Sequence, residues 1–125
     1  MMILITNNQR VAETFGDNID LHFMPEKTYQ EILLYARDRI HEGYKLLSHP
    51  LSGSVKPNET PFKSILISEK QQTLDYDSLV IIEDSLATVK KFNNNKITPK
   101  WTESILDDFR VIDLSLIKGA IEGNQ

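Results

Sequence analysis

The residues best suited to chemistry lie in a long polar loop that spans numbers 48–63. This loop combines Ser52-Gly53-Ser54 with Lys56, and it contains three of the five prolines of the chain. Successive backbone N–H groups around a glycine can turn inward and form a concavity for an anion, and a nearby lysine adds positive charge. Loops of this length without secondary structure are uncommon in compact domains and are often functional. The loop therefore predicts a site for a small anion or for a partner subunit.

Other polar side chains are expected beside this loop. Asn7 and Asn8 follow one short apolar run, and His49 follows another. Because parallel α/β sheets bind ligands beyond the carboxyl ends of their strands, we expect these side chains to reach the same pocket. The same composition is also typical of ordinary turns, and neither a P-loop nor a Gly-x-Gly-x-x-Gly motif is present. The predicted ligand-binding residues are Asn7, Asn8, His49, Ser52, Gly53, Ser54 and Lys56.

Evidence for catalysis is thinner than evidence for binding. His49 is the candidate general base, because imidazole titrates near neutral pH, although a histidine that merely hydrogen-bonds its loop is the alternative. The chain has no cysteine, which excludes thiolate catalysis, disulfides and cysteine-ligated zinc. His22, His41 and His49 lack the four-residue spacing of a helical zinc site, so we expect no metal and no cofactor. The sequence favours a non-catalytic protein and leaves the enzyme alternative open.

Composition sets the class of molecule and its compartment. A chain of 125 residues with 40% hydrophobic residues suits one globular domain spanning 1–125. There are 14 basic against 18 acidic residues, which disfavours nucleic acid as a partner because such binding depends on a basic face. No apolar run approaches the roughly 18 residues of a membrane span, and the amino terminus lacks the pattern of a signal peptide. We therefore expect a cytoplasmic protein that does not bind membranes.

The elements that must position the loop alternate between strands and helices. Short apolar runs predict four strands, helical spacing predicts two helices in the first half, and the C-terminal half looks helical. The expected fold is a small three-layer α/β domain with a mainly parallel sheet of about four strands. The predicted strands are 2–5, 19–23, 44–47 and 65–67, and the predicted helices are 9–15, 25–42, about 76–92 and about 101–118. The last helix is expected to bury Trp101, Ile105, Phe109, Ile112 and Leu116.

Several of these segments together resemble the GrdX family. The loop stretch from Lys45 to Pro61 carries most of the resemblance, and the opening residues 3–8 are similar too. The segments 77–85 and 108–113 extend the likeness over nearly the whole chain. Members of this family are associated with the glycine reductase gene clusters of amino-acid-fermenting anaerobic bacteria.

The resemblance implies an accessory role, because glycine reductase uses thiol and selenol chemistry that a chain without cysteine cannot supply. Our first hypothesis is thus a non-catalytic accessory protein that binds a small anionic ligand, or a glycine reductase component, through the 48–63 loop. The second is a small metal-independent enzyme with His49 as general base. The third is a structural interaction domain that acts through its C-terminal helices. Homodimer formation stays open in each case.

Overall fold

The computed structural model describes residues 1–17, 19–52, 55–95 and 98–125. Within these ranges the chain forms four helices and three strands. In chain order they are β1 (Ile3–Thr6), α1 (Gln9–Phe15), β2 (Asp20–Phe23), α2 (Tyr29–His41), β3 (Ser64–Ile67), α3 (Tyr76–Asn95) and α4 (Glu103–Gly123). The fold is therefore mixed α/β with a helical C-terminal half, as the sequence predicts.

The sheet has β1 at its centre, in the order β2-β1-β3. β1 and β2 run parallel, with Ile3 opposite Asp20. β1 and β3 run antiparallel, with Thr6 opposite Ser64. The carboxyl end of β1 thus lies beside the amino end of β3, where the long loop delivers the chain.

The prediction of a mainly parallel sheet with about four strands is wrong in both respects. The segment 44–47 is no strand: it makes one isolated bridge, between Leu46 and Ile67. Leu47 N does donate to the carbonyl of Leu66 in β3, but a continuous ladder does not form, since Lys45 N donates to Ser68 Oγ and Leu46 N to Ser78 Oγ. The segment still carries the chain back to the carboxyl end of β1, so β3 must enter the sheet antiparallel.

Two apolar cores cover the two faces of the sheet. Alternating residues of β1 and β3, such as Ile5 and Ile65, face α2 and α3. The residues between them, such as Leu4 and Leu66, face α1 and α4. Strand side chains alternate between faces, so burial of every position in β1 requires helices on both sides. The expected three-layer arrangement follows from these contacts.

Local signals explain where α2 begins and ends. Thr28 and Glu31 form a capping box, so the helix starts at Tyr29 and not at Pro25 as predicted. Gly43 follows the helix with φ of 109°, a conformation that favours glycine, as its position in the sequence indicates.

The prediction of which face of α4 is buried is wrong, because the buried face is rotated by part of a turn from the predicted one. Ile105, Ile112 and Leu116 are 38%, 38% and 46% exposed, whereas Asp113, Ile117 and Ile121 are buried. The buried residues repeat every four positions, which is helical spacing, but an aspartate opens the series. The apolar pattern alone therefore favoured the wrong face.

None of the helices in the described ranges is long and apolar enough to cross a membrane.

Candidate functional site

Polar side chains are buried where β1 ends and β3 begins. Thr6 and Asn8 are fully inaccessible, while Lys63, Ser64 and Asp113 are almost so. They come from β1 and the residues after it, from the start of β3 and from the middle of α4. Burial of polar groups is costly unless they are hydrogen-bonded, so the partners of each group decide its role.

A directed chain of hydrogen bonds links most of this cluster. Asp113 Oδ2 accepts from Ser64 Oγ at 2.7 Å, which uses the single hydroxyl proton of Ser64. Thr6 Oγ1, 2.7 Å from Ser64 Oγ, must therefore donate to it, and Thr6 Oγ1 in turn accepts from Asn8 N. Asp113 also accepts from Ser64 N at 3.1 Å and from Asn8 Nδ2 at 3.1 Å. These bonds join α4 to both strands.

Asn7 and Asn8 use their amide groups inside the fold. Asn7 Nδ2 donates to the carbonyls of Lys27 and Pro61, and its Oδ1 accepts from Lys63 N at 2.9 Å. Asn8 caps α1 through Oδ1, and its Nδ2 donates to Asp113 and to the carbonyl of Arg110. Because both N–H groups of each amide already have acceptors, these asparagines position neighbouring segments.

Lys63 differs from the other members of the cluster. The residue is 6% exposed, and the described part of the chain offers its ammonium no carboxylate within salt-bridge distance. Its nearest recorded contact is the ring of Tyr29, with Nζ 5.9 Å from the ring centroid. Burial lowers the pKa of Lys63, and the negative charge of Asp113 opposes that shift in part. A largely buried lysine without a salt bridge is costly to the fold, which makes Lys63 a candidate for ligand contact.

Lys63 and Asp113 line an open cleft of about 590 Å³. One wall comes from the segment after α2, and the other comes from the C-terminal half of α4. This volume is in the range of small-molecule sites, which combine apolar walls with few polar groups. The remaining lining residues are Leu47, Ser48, His49, Leu51, Ser52, Ser64, Leu116, Ile117 and Ala120.

The structure brings two of the predicted site residues to this cleft, His49 and Ser52. His49 is exposed, and its Nδ1 accepts from Leu51 N at 3.0 Å. Lys56 is exposed and does not line the cleft.

The other predicted residues lie elsewhere. Asn7 borders a separate cleft on the α2 side, and Asn8 is buried behind Asp113. Gly53 and Ser54 lie outside the described residues. The predicted anion-binding concavity at Ser52-Gly53-Ser54 stays a prediction.

Sequence reasoning missed Lys63, Ser64 and Asp113. Lys63 and Ser64 directly precede the apolar run of β3, which marks the entry of a strand at the same edge as Asn7 and Asn8. Asp113 stands four residues before Ile117 and eight before Ile121. An acidic residue on the same helix face as buried apolar residues indicates a buried carboxylate, which needs hydrogen-bond donors around it.

The described residues contain no group of three or more His, Asp or Glu side chains that could hold a metal ion. The expectation that the protein uses no metal or cofactor stays a prediction.

Comparison with known proteins places the chain in a family. Searches of curated proteins and of solved structures found no match. A family model described as GrdX-like protein matches residues 3–122, nearly the whole chain and the same range over which the sequence segments resemble that family. The chain therefore belongs to the GrdX-like protein family.

Proposed function

We propose that this protein is a non-catalytic accessory of the glycine reductase system that binds a small anionic ligand. The binding site is the cleft between the 48–63 loop and α4. The observation that supports it is Lys63: a largely buried lysine that forms no salt bridge with the described residues and that lines the cleft together with Asp113. Family membership supports the metabolic setting through the family name alone.

An anion in the cleft would complete the electrostatics of the site. It would neutralise the Lys63 ammonium, which Asp113 stabilises only from a distance. A charge-assisted hydrogen bond in such a protected place is stronger than one in water. Ser48 lines the same cleft, and its hydroxyl, which accepts from Leu66 N, still has a proton to donate to the ligand.

The test is a binding titration with acetate, acetyl phosphate and inorganic phosphate, followed by amide NMR and calorimetry. We expect at least one anion to shift the amides of His49, Ser52 and Ser64, and Lys63→Met to weaken its binding at least tenfold. Methionine is apolar and of similar length, so it fits the buried position. Lys118→Met changes the net charge equally on an exposed part of α4 and should leave affinity within about twofold.

Two results would contradict the proposal. The first is that Lys63→Met binds every anion as the unmodified protein does. The second is that none of the three anions causes shifts at the cleft. Loss of binding in Lys56→Met alone would instead favour the predicted loop concavity over the Lys63 cleft.

The alternative that the loop binds a partner subunit has its own test. Purified glycine reductase components are mixed with this protein and analysed by size-exclusion chromatography. Co-elution that disappears on Lys63→Met would assign the cleft to a partner carboxylate instead of a small ligand.

The hypothesis of an interaction domain has one observation in its favour. Tyr76 and Val80, one turn apart on α3, are 73% and 51% exposed. Such exposed apolar side chains are found at interaction surfaces, although single ones are common on monomers. The enzyme hypothesis with His49 as general base stays a prediction.

A further inference from the structure

The cleft that holds Lys63 also has an apolar surface. Leu47 and Leu51 line one side, and Leu116, Ile117 and Ala120 of α4 line the other. Leu116 is 46% exposed although it lies on the cleft, so its side chain is left partly open to solvent there. An inorganic anion would contact the polar end of this cleft and leave the apolar walls exposed to water. A ligand with an apolar part would cover the polar end and the apolar walls together.

The charges around Lys63 limit the charge of the ligand. Asp113 lines the same cleft as Lys63 and contributes one negative charge there, which also opposes the lowering of the Lys63 pKa. All donors recorded at Asp113 come from Ser64 and Asn8, which are neutral residues. The cleft thus offers one positive charge next to one fixed negative charge. A single negative charge on the ligand is attracted to Lys63, whereas a second would be repelled by Asp113.

We propose that the ligand is a monocarboxylate with an aliphatic chain, its carboxylate at Lys63 and its chain between Leu47 and Leu116. This inference rests on the proposed function, because it names the ligand class of the same cleft. The cleft volume of about 590 Å³ holds a chain of about six carbons together with some water.

The experiment compares four probes by calorimetry: hexanoate, acetate, phosphate and 1-hexanol. Each fully buried methylene strengthens binding about fourfold, because its transfer from water contributes about 0.8 kcal/mol. With partial burial of the four extra methylenes, hexanoate should bind at least about thirtyfold more tightly than acetate. Phosphate should bind more weakly than hexanoate, and 1-hexanol, which has the chain but no charge, should bind at least tenfold more weakly.

Two variants at equally exposed positions of α4 test where the aliphatic chain of hexanoate lies. Leu116→Gln places a polar group on the cleft wall and should reduce hexanoate affinity about fivefold while acetate affinity stays unchanged. Val111→Gln is the control, because Val111 is 47% exposed on the same helix and is not part of the cleft wall. In spectra of methyl-labelled protein, hexanoate should shift the methyl signals of Leu47, Leu116 and Ala120 and leave that of Val89 in place.

The outcomes separate this inference from the proposed function. Equal affinities for acetate and hexanoate, both lost in Lys63→Met, would overturn the aliphatic ligand and leave the anion site standing. Equal binding of 1-hexanol and hexanoate, both unaffected by Lys63→Met, would overturn the anion site as well. Phosphate binding more tightly than hexanoate would contradict the limit of one negative charge.

Discussion

At the scale of single residues, two buried charges at the end of β1 have different roles. Asp113 is surrounded by donors and joins three elements, whereas Lys63 forms no salt bridge with the described residues. A buried charge with its hydrogen bonds satisfied holds a structure together, and one without them requires a ligand or loses its proton. The same edge of the sheet therefore contains one structural group and one candidate binding group.

The structural role of Asp113 predicts a large loss of stability on Asp113→Asn. An asparagine keeps the shape, but its NH2 group would face a donor whichever way the amide is turned, since both carboxylate oxygens of Asp113 accept hydrogen bonds. We expect a loss of about 3 kcal/mol in the free energy of unfolding, measured by urea denaturation. Asp108→Asn removes the same charge at an exposed position of α4 and should cost less than about 0.5 kcal/mol. Similar losses for the two variants would show that the hydrogen bonds of Asp113 matter little.

At the scale of elements, the residues that end α2 determine the path of the chain into the long loop. Gly43 has φ of 109°, and its N–H donates to the carbonyl of Ile40. Gln71 N donates to the carbonyl of Gly43, which fixes this turn to the segment after β3. A side chain at this position would meet a conformational penalty and a neighbour at the same time.

Gly43→Ala should therefore destabilise the protein by about 2 kcal/mol. A Cβ atom at position 43 would lie 2.7 Å from the carbonyl oxygen of Gln71, a backbone atom that cannot move away cheaply. Gly119→Ala is the matched control, because Gly119 lies within α4 and a Cβ there meets nothing within 4 Å. That variant should gain up to about 1 kcal/mol from helix propensity. Thermal unfolding of both proteins tests the pair, and a stable Gly43→Ala protein would contradict the conformational argument.

Elements were the part of the fold that the sequence predicted best. The short apolar runs 2–5 and 65–67 and the helical spacing of α2 and α3 identified the right segments, because these depend on local periodicity. The direction of β3 was not predictable from periodicity, since it depends on where the irregular segment 44–63 brings the chain. The segment 44–47 has a strand-like composition, but serine side chains accept the N–H groups of Lys45 and Leu46, so that only an isolated bridge to β3 forms.

The site was predicted in part for a related reason. The loop and the end of β1 could be identified from polar residues after apolar runs, and His49 and Ser52 do lie at one cleft. Asp113 was missed because its hydrogen bonds to Ser64 and Asn8 join parts of the chain that are far apart in the sequence. Lys63 was included only as the last residue of the predicted loop. A residue's lack of a counter-ion is a property of the folded chain, which one sequence does not display.

At the scale of the whole molecule, burial of Lys63 couples stability to pH. Burial lowers its pKa in the folded protein, while in the unfolded chain the pKa returns to about 10.5. Between these two values the unfolded chain binds more protons than the folded protein does, so stability rises with pH in that window. Below the lower value both states carry the proton and the penalty of the buried charge is constant.

Comparison of the protein with Lys63→Met isolates this contribution. Asp113 and Tyr29 also face Lys63, but both are present in the two proteins, so their own contributions to the pH dependence cancel in the difference. Burial also raises the pKa of Tyr29. At neutral pH in buffers without carboxylates, Lys63→Met should be the more stable protein, because it lacks the buried charge. That advantage should shrink as the pH rises towards 10.5. Urea denaturation from pH 7 to 10 measures it.

The difference in the free energy of unfolding between the unmodified protein and Lys63→Met should also change when an anion binds, which connects stability to the proposed function. A ligand that binds only the folded protein stabilises it by about 2.7 kcal/mol at a concentration one hundred times its dissociation constant. Hexanoate should therefore remove the disadvantage of the unmodified protein at neutral pH and stabilise Lys63→Met less, by at most about 1.4 kcal/mol at the same concentration if its binding is at least tenfold weaker. Because ligand binding and deprotonation both relieve the same buried charge, the stabilisation by hexanoate should fade as the pH approaches 10.5. A stabilisation independent of pH would mean that hexanoate binds without contact to Lys63.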